Sequence, residues 1–229
     1  MYQSVDQVLS QLPPEYQGDL LPSIREEFLR QEKTVVVFDD DPTGTQTCHD
    51  VTVLTSWTIP LLVRELEKKP SILFILTNSR SLTEENAVRL NSEIAGNLNE
   101  AVRRTRRKIM VISRSDSTLR GHFPTEVETI ANTLQIHGIW ILIPAFIEGG
   151  RFTIADVHYL QERGELVPVA ETPFARDTAF GYQNSNLRAW ILEKSKGKIG
   201  STEIFSCSLD DIRKGGPAAV AKILSQRLE

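Results

Sequence analysis

The stretch VVVFDDDPTGTQTCHD, residues 35–50, sets four apolar residues directly before three adjacent acids, then a proline, a glycine and three threonines. A short run of β-branched and aromatic residues predicts a strand. Asp-Pro and Thr-Gly are turn dipeptides, so the strand should end in a tight acidic turn. A turn accounts for one of Asp39, Asp40 and Asp41, or for two if one caps the next segment. Three side by side repel one another, which implies either a bound cation or a general base beside a substrate hydroxyl.

Comparable apolar runs recur outward from this one: VTVLT (51–55), SILFIL (71–76), KIMVIS (108–113), IWILI (139–143) and TEIFSC (202–207). Helical patterns alternate with them. A surface helix is expected from about Pro22, and another follows a Thr83 cap through TEENAVRLNSEIAGNLNEAVRR. PTEVETIANTLQIH places Pro124 in a first turn, and SNLRAWILEKS and GPAAVAKILSQRL are helical in pattern. Near-continuous apolar strands alternating with helices predict the α/β class: a mainly parallel sheet, helices on both faces, and ligand loops at the strand carboxyl ends. Residues 1–33 are expected to form an N-terminal helical arm and residues 34–229 the α/β domain. Within it, residues 148–184 are rich in Gly, Pro, Thr and Arg and predict an irregular excursion.

Composition removes several classes of function. Lys and Arg number 26 against 30 Asp and Glu, and a net charge of -4 gives no electrostatic reason to expect nucleic acid or an anionic membrane. RRTRR, residues 103–107, reads as a helix end, where cations meet the negative pole of the dipole. The longest apolar run, IWILIPAFI from Ile139, is too short to cross a bilayer, and the N-terminus has no signal-peptide pattern. Cys48 and Cys207 lack metal-type spacing, and a reducing cytoplasm is the expected setting. His49, His122, His137 and His158 share no metal-ligand spacing either. His137 reads as a helix end.

The loops densest in Asp, Arg, Ser and Thr follow apolar runs directly. DDDPTGTQT, TNSRS, SRSDSTLRGHF and PAFIEGGRFT would all lie along one edge of a parallel sheet, the edge at which such sheets bind ligands. The third loop brings Arg114, Asp116, Ser117, Thr118, Arg120 and His122 within nine positions. Guanidinium forks match carboxylates and phosphates with two parallel bonds, so an anionic, polyhydroxylated ligand is expected. The same arginines could pair with Asp116 and the first-loop acids. Both readings are expected to hold, with one arginine structural. Gly149 and Gly150 suit either close approach to a ligand or a plain turn.

Two known patterns fit parts of this arrangement. Asp39, Asp41 and Thr43 after a strand resemble the first motif of the haloacid dehalogenase superfamily, which implies a Mg²⁺-dependent phosphatase with Asp39 as nucleophile and Asp41 as acid/base. Thr77 and the pair Asp210 and Asp211 would imitate its later motifs. That match is short and leaves RSDSTLRG without a role. Taken together and in order, DDDPTGTQ, TNSRSL, SRSDSTLRGHF, PAFIEGGRFT...VHYL and TPFARDTAFGY...SNL resemble the N-terminal domain of the four-carbon acid sugar kinase family. The resemblance runs from Thr34 to Leu228. It departs from the commoner Asp-Asp-Leu-Thr-Gly pattern at Asp39 and Pro42, and in the arm ahead of the first strand.

The resemblance implies an ATP-dependent kinase acting on threonate- or erythronate-like acids and their oxo relatives. The small anionic sugar acid would bind this domain. ATP and Mg²⁺ would bind a nucleotide-binding domain of the same or a partner chain, with no metal or tightly held cofactor assigned to these residues. The sequence to Glu229 has no Gly-x-x-x-x-Gly-Lys-Ser/Thr loop, and Gly215 and Gly216 read as a helix start. Carried over by position, the resemblance implies that Asp40 and Asp41 grip sugar hydroxyls, one of them acting as base. Asp39, Thr43 and Gly44 would stand beside them. Arg114 and Arg120 would hold the carboxylate, and Asp116 and Ser117 would bond hydroxyls or orient the arginines, with Arg151 and Arg176 in second rank. This half alone is expected to bind without turnover.

Overall fold

The structure, a computed structural model, describes residues 2–44 and 48–227. In chain order its elements are β1 (Gln3–Ser4), α1 (Val5–Ser10), α2 (Leu21–Gln31), β2 (Lys33–Asp39), β3 (Thr52–Leu54), α3 (Ile59–Glu67), β4 (Ile72–Leu76) and α4 (Glu84–Thr105). They continue with β5 (Lys108–Arg114), α5 (Thr125–Leu134), β6 (Arg151–Ile154), β7 (Val157–Glu162), β8 (Glu165–Pro168), α6 (Leu187–Lys194), α7 (Leu209–Arg213) and α8 (Gly216–Ser225). The class is α/β, as the alternation predicts. The elements form two compact units, one of residues 19–116 and 121–137, the other of residues 1–18, 117–120 and 138–229.

The first unit holds the parallel sheet, in the order β3-β4-β2-β5. One face carries Val36, Phe38, Leu54, Leu73 and Ile75, which pack on Leu62 and Leu66 of α3, Ile94 and Leu98 of α4, and Ile130 of α5. Helices α3 and α4 share this face for a topological reason. The strands advance in a single direction from β3 through β4 to β5, and right-handed crossovers that all advance one way leave their helices on one side. The other face carries Val37 and Phe74, both buried, and Met110 and Ile112, each 45% exposed.

Helix α4 shows how sequence sets this packing. Thr83 accepts a bond from the Asn86 amide at its start, and Ala87, Asn91, Ile94, Leu98 and Ala101 recur every three or four residues as its buried stripe. Each large apolar side chain of that stripe contributes about 1.5–3 kcal/mol on full burial. The basic cluster does close this helix. Arg103 and Arg104 both pair with Glu100, holding its carboxyl down to about 2, and Arg106 turns left-handed as the cap. Helix α2 starts with Pro22 in its first turn and buries none of its residues.

The second unit is built on an antiparallel sheet in the order β1-β8-β7-β6. Here the expected irregular excursion is instead a meander. Ile154 pairs with Val157 and Glu162 with Glu165, so both hairpins turn through two residues. Ala155, Asp156, Arg163 and Gly164 all have positive φ, as such turns require. Ala-Asp is a poor signal for that turn, which is why the strands are hard to see in the sequence.

Two predicted strands do not form. Residues 139–143 have no strand partner among the described residues, and Ile141 and Ile143 are 64% and 76% exposed. Residues 202–207 begin in a tight helical turn and then run irregularly, with Phe205 packed against the Arg227 guanidinium, 3.5 Å from its ring centroid. An apolar run signals burial, and a strand also needs a neighbour to complete its ladder. No described helix is long and apolar enough to cross a membrane.

Candidate functional site

In the parallel unit, β2, β4 and β5 end together, and their pairing sets Asp39 opposite both Leu76 and Arg114. That register gathers the acids. Asp39 and Asp40 are 1% and 3% exposed, so each needs compensation for its lost hydration. Asp40 receives it in full. Arg80 donates Nε to Oδ2 at 3.1 Å and Nη2 to Oδ1 at 2.5 Å, and the Ser115 hydroxyl adds a bond of 2.8 Å. Arg80 also reaches Asp41 at 3.1 Å through Nη1.

Asp39 is held more loosely. Its only ion pair among the described residues is with Nη1 of Arg114, 3.4 Å from each carboxylate oxygen. Burial pushes its carboxyl up, and the Arg114 charge offsets part of that rise. The Arg114 side chain is 41% exposed, and among the described residues its remaining donors make no bond. Asp41 is the reverse case. The Thr43 hydroxyl and amide both donate to it, the hydroxyl most strongly, and hold its carboxyl below the usual range.

Glycine matters at one position of this loop. A Cβ on Gly44 would overlap Arg114 Nη1 and both oxygens of Asp39, so only glycine lets the backbone lie against the pair. The neighbouring polar groups serve the scaffold. Thr77 donates to the Asp39 carbonyl at 3.0 Å, and Nε2 of His122 donates to the carbonyls of Ser79 and Leu82. Glu126 is buried, takes a bond of 2.7 Å from Asn91 Nδ2, and has its carboxyl pushed up by that burial. Asp116 contributes its charge to Arg80.

Of the predicted site residues, Asp39, Asp40, Asp41, Thr43, Gly44, Arg114 and Asp116 therefore belong to one unit. Thr45, Gln46 and Thr47 of the same loop lie outside the described residues. Arg80 and Ser115 are functional candidates that sequence reasoning missed, although TNSRS and SRSDS carried a signal in their position after strands.

Ser117, Arg120, Arg151 and Arg176 belong to the antiparallel unit. Arg120 lies over the Phe174 ring at 4.9 Å and 3.7 Å from Asp177, whose carboxyl is held down by the amides of Phe180 and Ala179. The Ser117 carbonyl takes a bond of 2.7 Å from His158, which is wholly buried. Arg151 donates to the Gly149 carbonyl and lies 5.7 Å from the Phe146 ring centroid, while Gly150 supplies a left-handed turn residue, so this glycine pair makes a turn. Arg176 is exposed at the end of a helical turn. The acidic pair required by the phosphatase pattern is engaged locally: Asp211 completes a capping box with Ser208, and Asp210 pairs with Lys214.

A hollow of about 210 Å³ lies at the other end of the parallel sheet, lined by Glu32, Lys69, Thr105, Arg106, Arg107 and Lys108. Of its cations, Lys69, Arg106 and Arg107 stand just past the ends of α3 and α4, the helix-terminal placement that the dipole favours.

A parallel α/β unit with a polar cluster at its strand carboxyl ends is the arrangement of small-molecule-binding domains. The chain belongs to the family of sugar-binding N-terminal domains, which it matches over residues 35–229. This bears out the resemblance to the N-terminal domain of the four-carbon acid sugar kinase family. No curated protein matches the chain significantly.

Among solved structures, a domain of unknown function (DUF1537) from Bordetella bronchiseptica, crystallised in two forms with bound citrate as a domain-swapped dimer, has a similar fold. The two crystals give 22% and 23% identity and TM-scores of 0.53 and 0.54, covering 69% of this chain and 39% and 40% of that one. A protein from Salmonella typhimurium LT2, provisionally described as a tRNA synthase, is 14% identical with a TM-score of 0.57, covering 84% of this chain and 45% of its own. The chain thus spans about two fifths of the length of the structures it matches.

Proposed function

We propose that this chain is the acid-binding domain of an ATP-dependent kinase for four-carbon sugar acids of the threonate, erythronate or oxo-tetronate type. The observation that carries the reading is Arg114: a half-exposed guanidinium whose other donors make no bond among the described residues, set beside a buried carboxylate at the carboxyl ends of β2 and β5. Family membership supports a sugar-like ligand. The citrate in the Bordetella protein supports one that carries carboxylates.

In this reading the Arg114 fork takes the substrate carboxylate. Asp41, the most exposed of the three acids with 27% of its side chain open, accepts bonds from the substrate hydroxyls and is the carboxylate able to take a proton from one of them. Asp40 works through Arg80, which it locks in place, and Asp116 and Thr43 steady the same loops. Gly44 keeps the approach to Asp39 and Arg114 open.

ATP and Mg²⁺ supply the phosphoryl group in such kinases. In this reading the nucleotide is not held by the glycine pair of this chain, since Gly215 and Gly216 open α8 and the ring of Tyr16 lies against Gly216. The role derived for this chain is accordingly to bind and orient the acceptor. Titration calorimetry of four-carbon acids against the wild type and Arg114→Ala tests the reading. Loss of one partner of a buried charge contact typically costs about 2–5 kcal/mol, so affinity should fall at least tenfold. Equal affinity in both proteins removes Arg114 from the site.

A further inference from the structure

The hollow at the amino ends of β2 and β5 gathers more positive charge than its helix ends account for. Lys69, Arg106, Arg107 and Lys108 line it with Thr105 and Glu32, and all six belong to the parallel unit. Among the described residues of that unit, none of the four cations forms an ion pair. Arg103 and Arg104, in the last turn of α4, are by contrast both answered by Glu100. The sheet adds to the crowding, because its register sets Lys33 directly opposite Lys108, an arrangement of like charges that costs stability.

Helices α2, α3 and α4 all finish beside the hollow, and each carboxyl end presents about half a unit of negative charge. Those three ends and Glu32 together offset about two and a half of the four positive charges, so about one and a half remain unanswered.

Arg107 is also held ready for a ligand. Its Nε donates to Thr34 Oγ1 at 2.9 Å, and the hydroxyl of Thr34, a wholly buried residue, donates in turn to the Pro70 carbonyl at 2.7 Å. The Arg107 amide donates to Thr105 Oγ1 at 3.4 Å. Backbone and side-chain stem are thereby fixed, while among the described residues of the unit Nη1 and Nη2 make no bond. A guanidinium anchored in this way presents its open nitrogens as a fork for an oxyanion.

We propose that this hollow binds the phosphoryl dianion of a small phosphate ester or of free phosphate. The Arg107 fork takes two of the oxygens, and Lys69, Arg106 and Lys108 place charge around the rest. Such a group carries about −1.5 to −2 at neutral pH, which matches the positive charge left over. At about 210 Å³ the hollow has the volume of about seven waters, room for the phosphoryl group and a short ester. The site stands at the opposite end of the strands from Asp39 and Arg114, so this inference does not depend on the ligand proposed above.

Titration calorimetry of the whole chain at low salt, with inorganic phosphate and with glycerol phosphate, tests it. One site per chain is expected. Tighter binding of the ester would show that the hollow also holds the carbon chain, and equal binding that it holds the phosphoryl group alone; either result supports the proposal. Arg107→Ala should weaken binding about tenfold or more, the effect of losing hydrogen bonds to a charged group. Glu32→Gln should act in the opposite direction and tighten binding, because it removes the one acidic side chain in the lining. Should Arg107→Ala fail to fold, Lys108→Gln decides, since it relieves the repulsion with Lys33 and should still weaken binding several-fold. Absence of binding by both phosphates overturns the proposal, as does an affinity that neither Arg107→Ala nor Lys108→Gln reduces, or a Glu32→Gln variant that binds more weakly than the wild type.

Discussion

Arg80 grips Asp40 with two nitrogens, Nε on one carboxylate oxygen and Nη2 on the other, although the two residues stand forty positions apart in the chain. The carboxylate is 4% exposed and the guanidinium 21%, so the pair is largely withdrawn from water. Arg80→Ala would leave Asp40 with the Ser115 hydroxyl as its remaining side-chain bond among the described residues. Breaking such a pair from one side costs about 3–5 kcal/mol, most of it the penalty of the stranded charge. Arg80→Lys keeps the charge and loses the fork, and it should recover less than half of that loss. Urea unfolding of the three proteins reads this directly. A midpoint for Arg80→Ala within error of the wild type would show that the grip contributes nothing.

Gly44→Ala separates binding from folding. The added methyl group falls on Arg114 Nη1 and the Asp39 carboxylate, and one of them must move. Overpacking of this kind costs about 1–3 kcal/mol in stability. Because the displaced groups are the proposed ligand contacts, calorimetry should also show at least a tenfold loss of affinity for a four-carbon acid, in line with the loss of one charged contact. Destabilisation with unchanged affinity would place the ligand elsewhere.

The legible part of this protein is what neighbours in sequence determine. The acids after VVVF announce the strand end, and KIMVI followed by Arg114 announces the next. Thr83 and the three-four spacing behind it define α4. Arg80 is different, because an arginine in TNSRS looks like any solvated loop residue. Its role exists only once β2 and β4 pair in parallel and set Asp39 opposite Leu76. The β6–β7 hairpin is hidden for a local reason, since its turn uses Ala155 and Asp156 in a conformation that usually calls for Asn or Gly. IWILI shows the remaining limit: five apolar residues say that a surface will be covered and do not say by what.

Glu126 should make the stability of the parallel unit depend on pH. Burial raises its folded-state carboxyl pKa above the ordinary glutamate value, and the nearby Asp40 charge adds to the rise, while Ser79, His122 and Asn91 oppose it. A folded state whose acid has a raised pKa binds the proton more tightly than the unfolded chain does. The stabilising contribution is therefore complete below the unfolded value and is lost as pH climbs through the raised one, above which the carboxylate is a buried charge. Glu126→Gln removes that charge and keeps an oxygen for Asn91 Nδ2. Its new amide can also donate to Asn91 Oδ1, which is buried without a partner among the described residues. The variant should accordingly unfold at higher urea than the wild type near neutral pH. The gap should narrow as pH falls through the raised value toward the ordinary glutamate value of 4.5, as the wild-type carboxyl takes up its proton. A gap that stays constant across that range, or a variant weaker than wild type throughout, would mean that Glu126 carries no uncompensated charge in the fold.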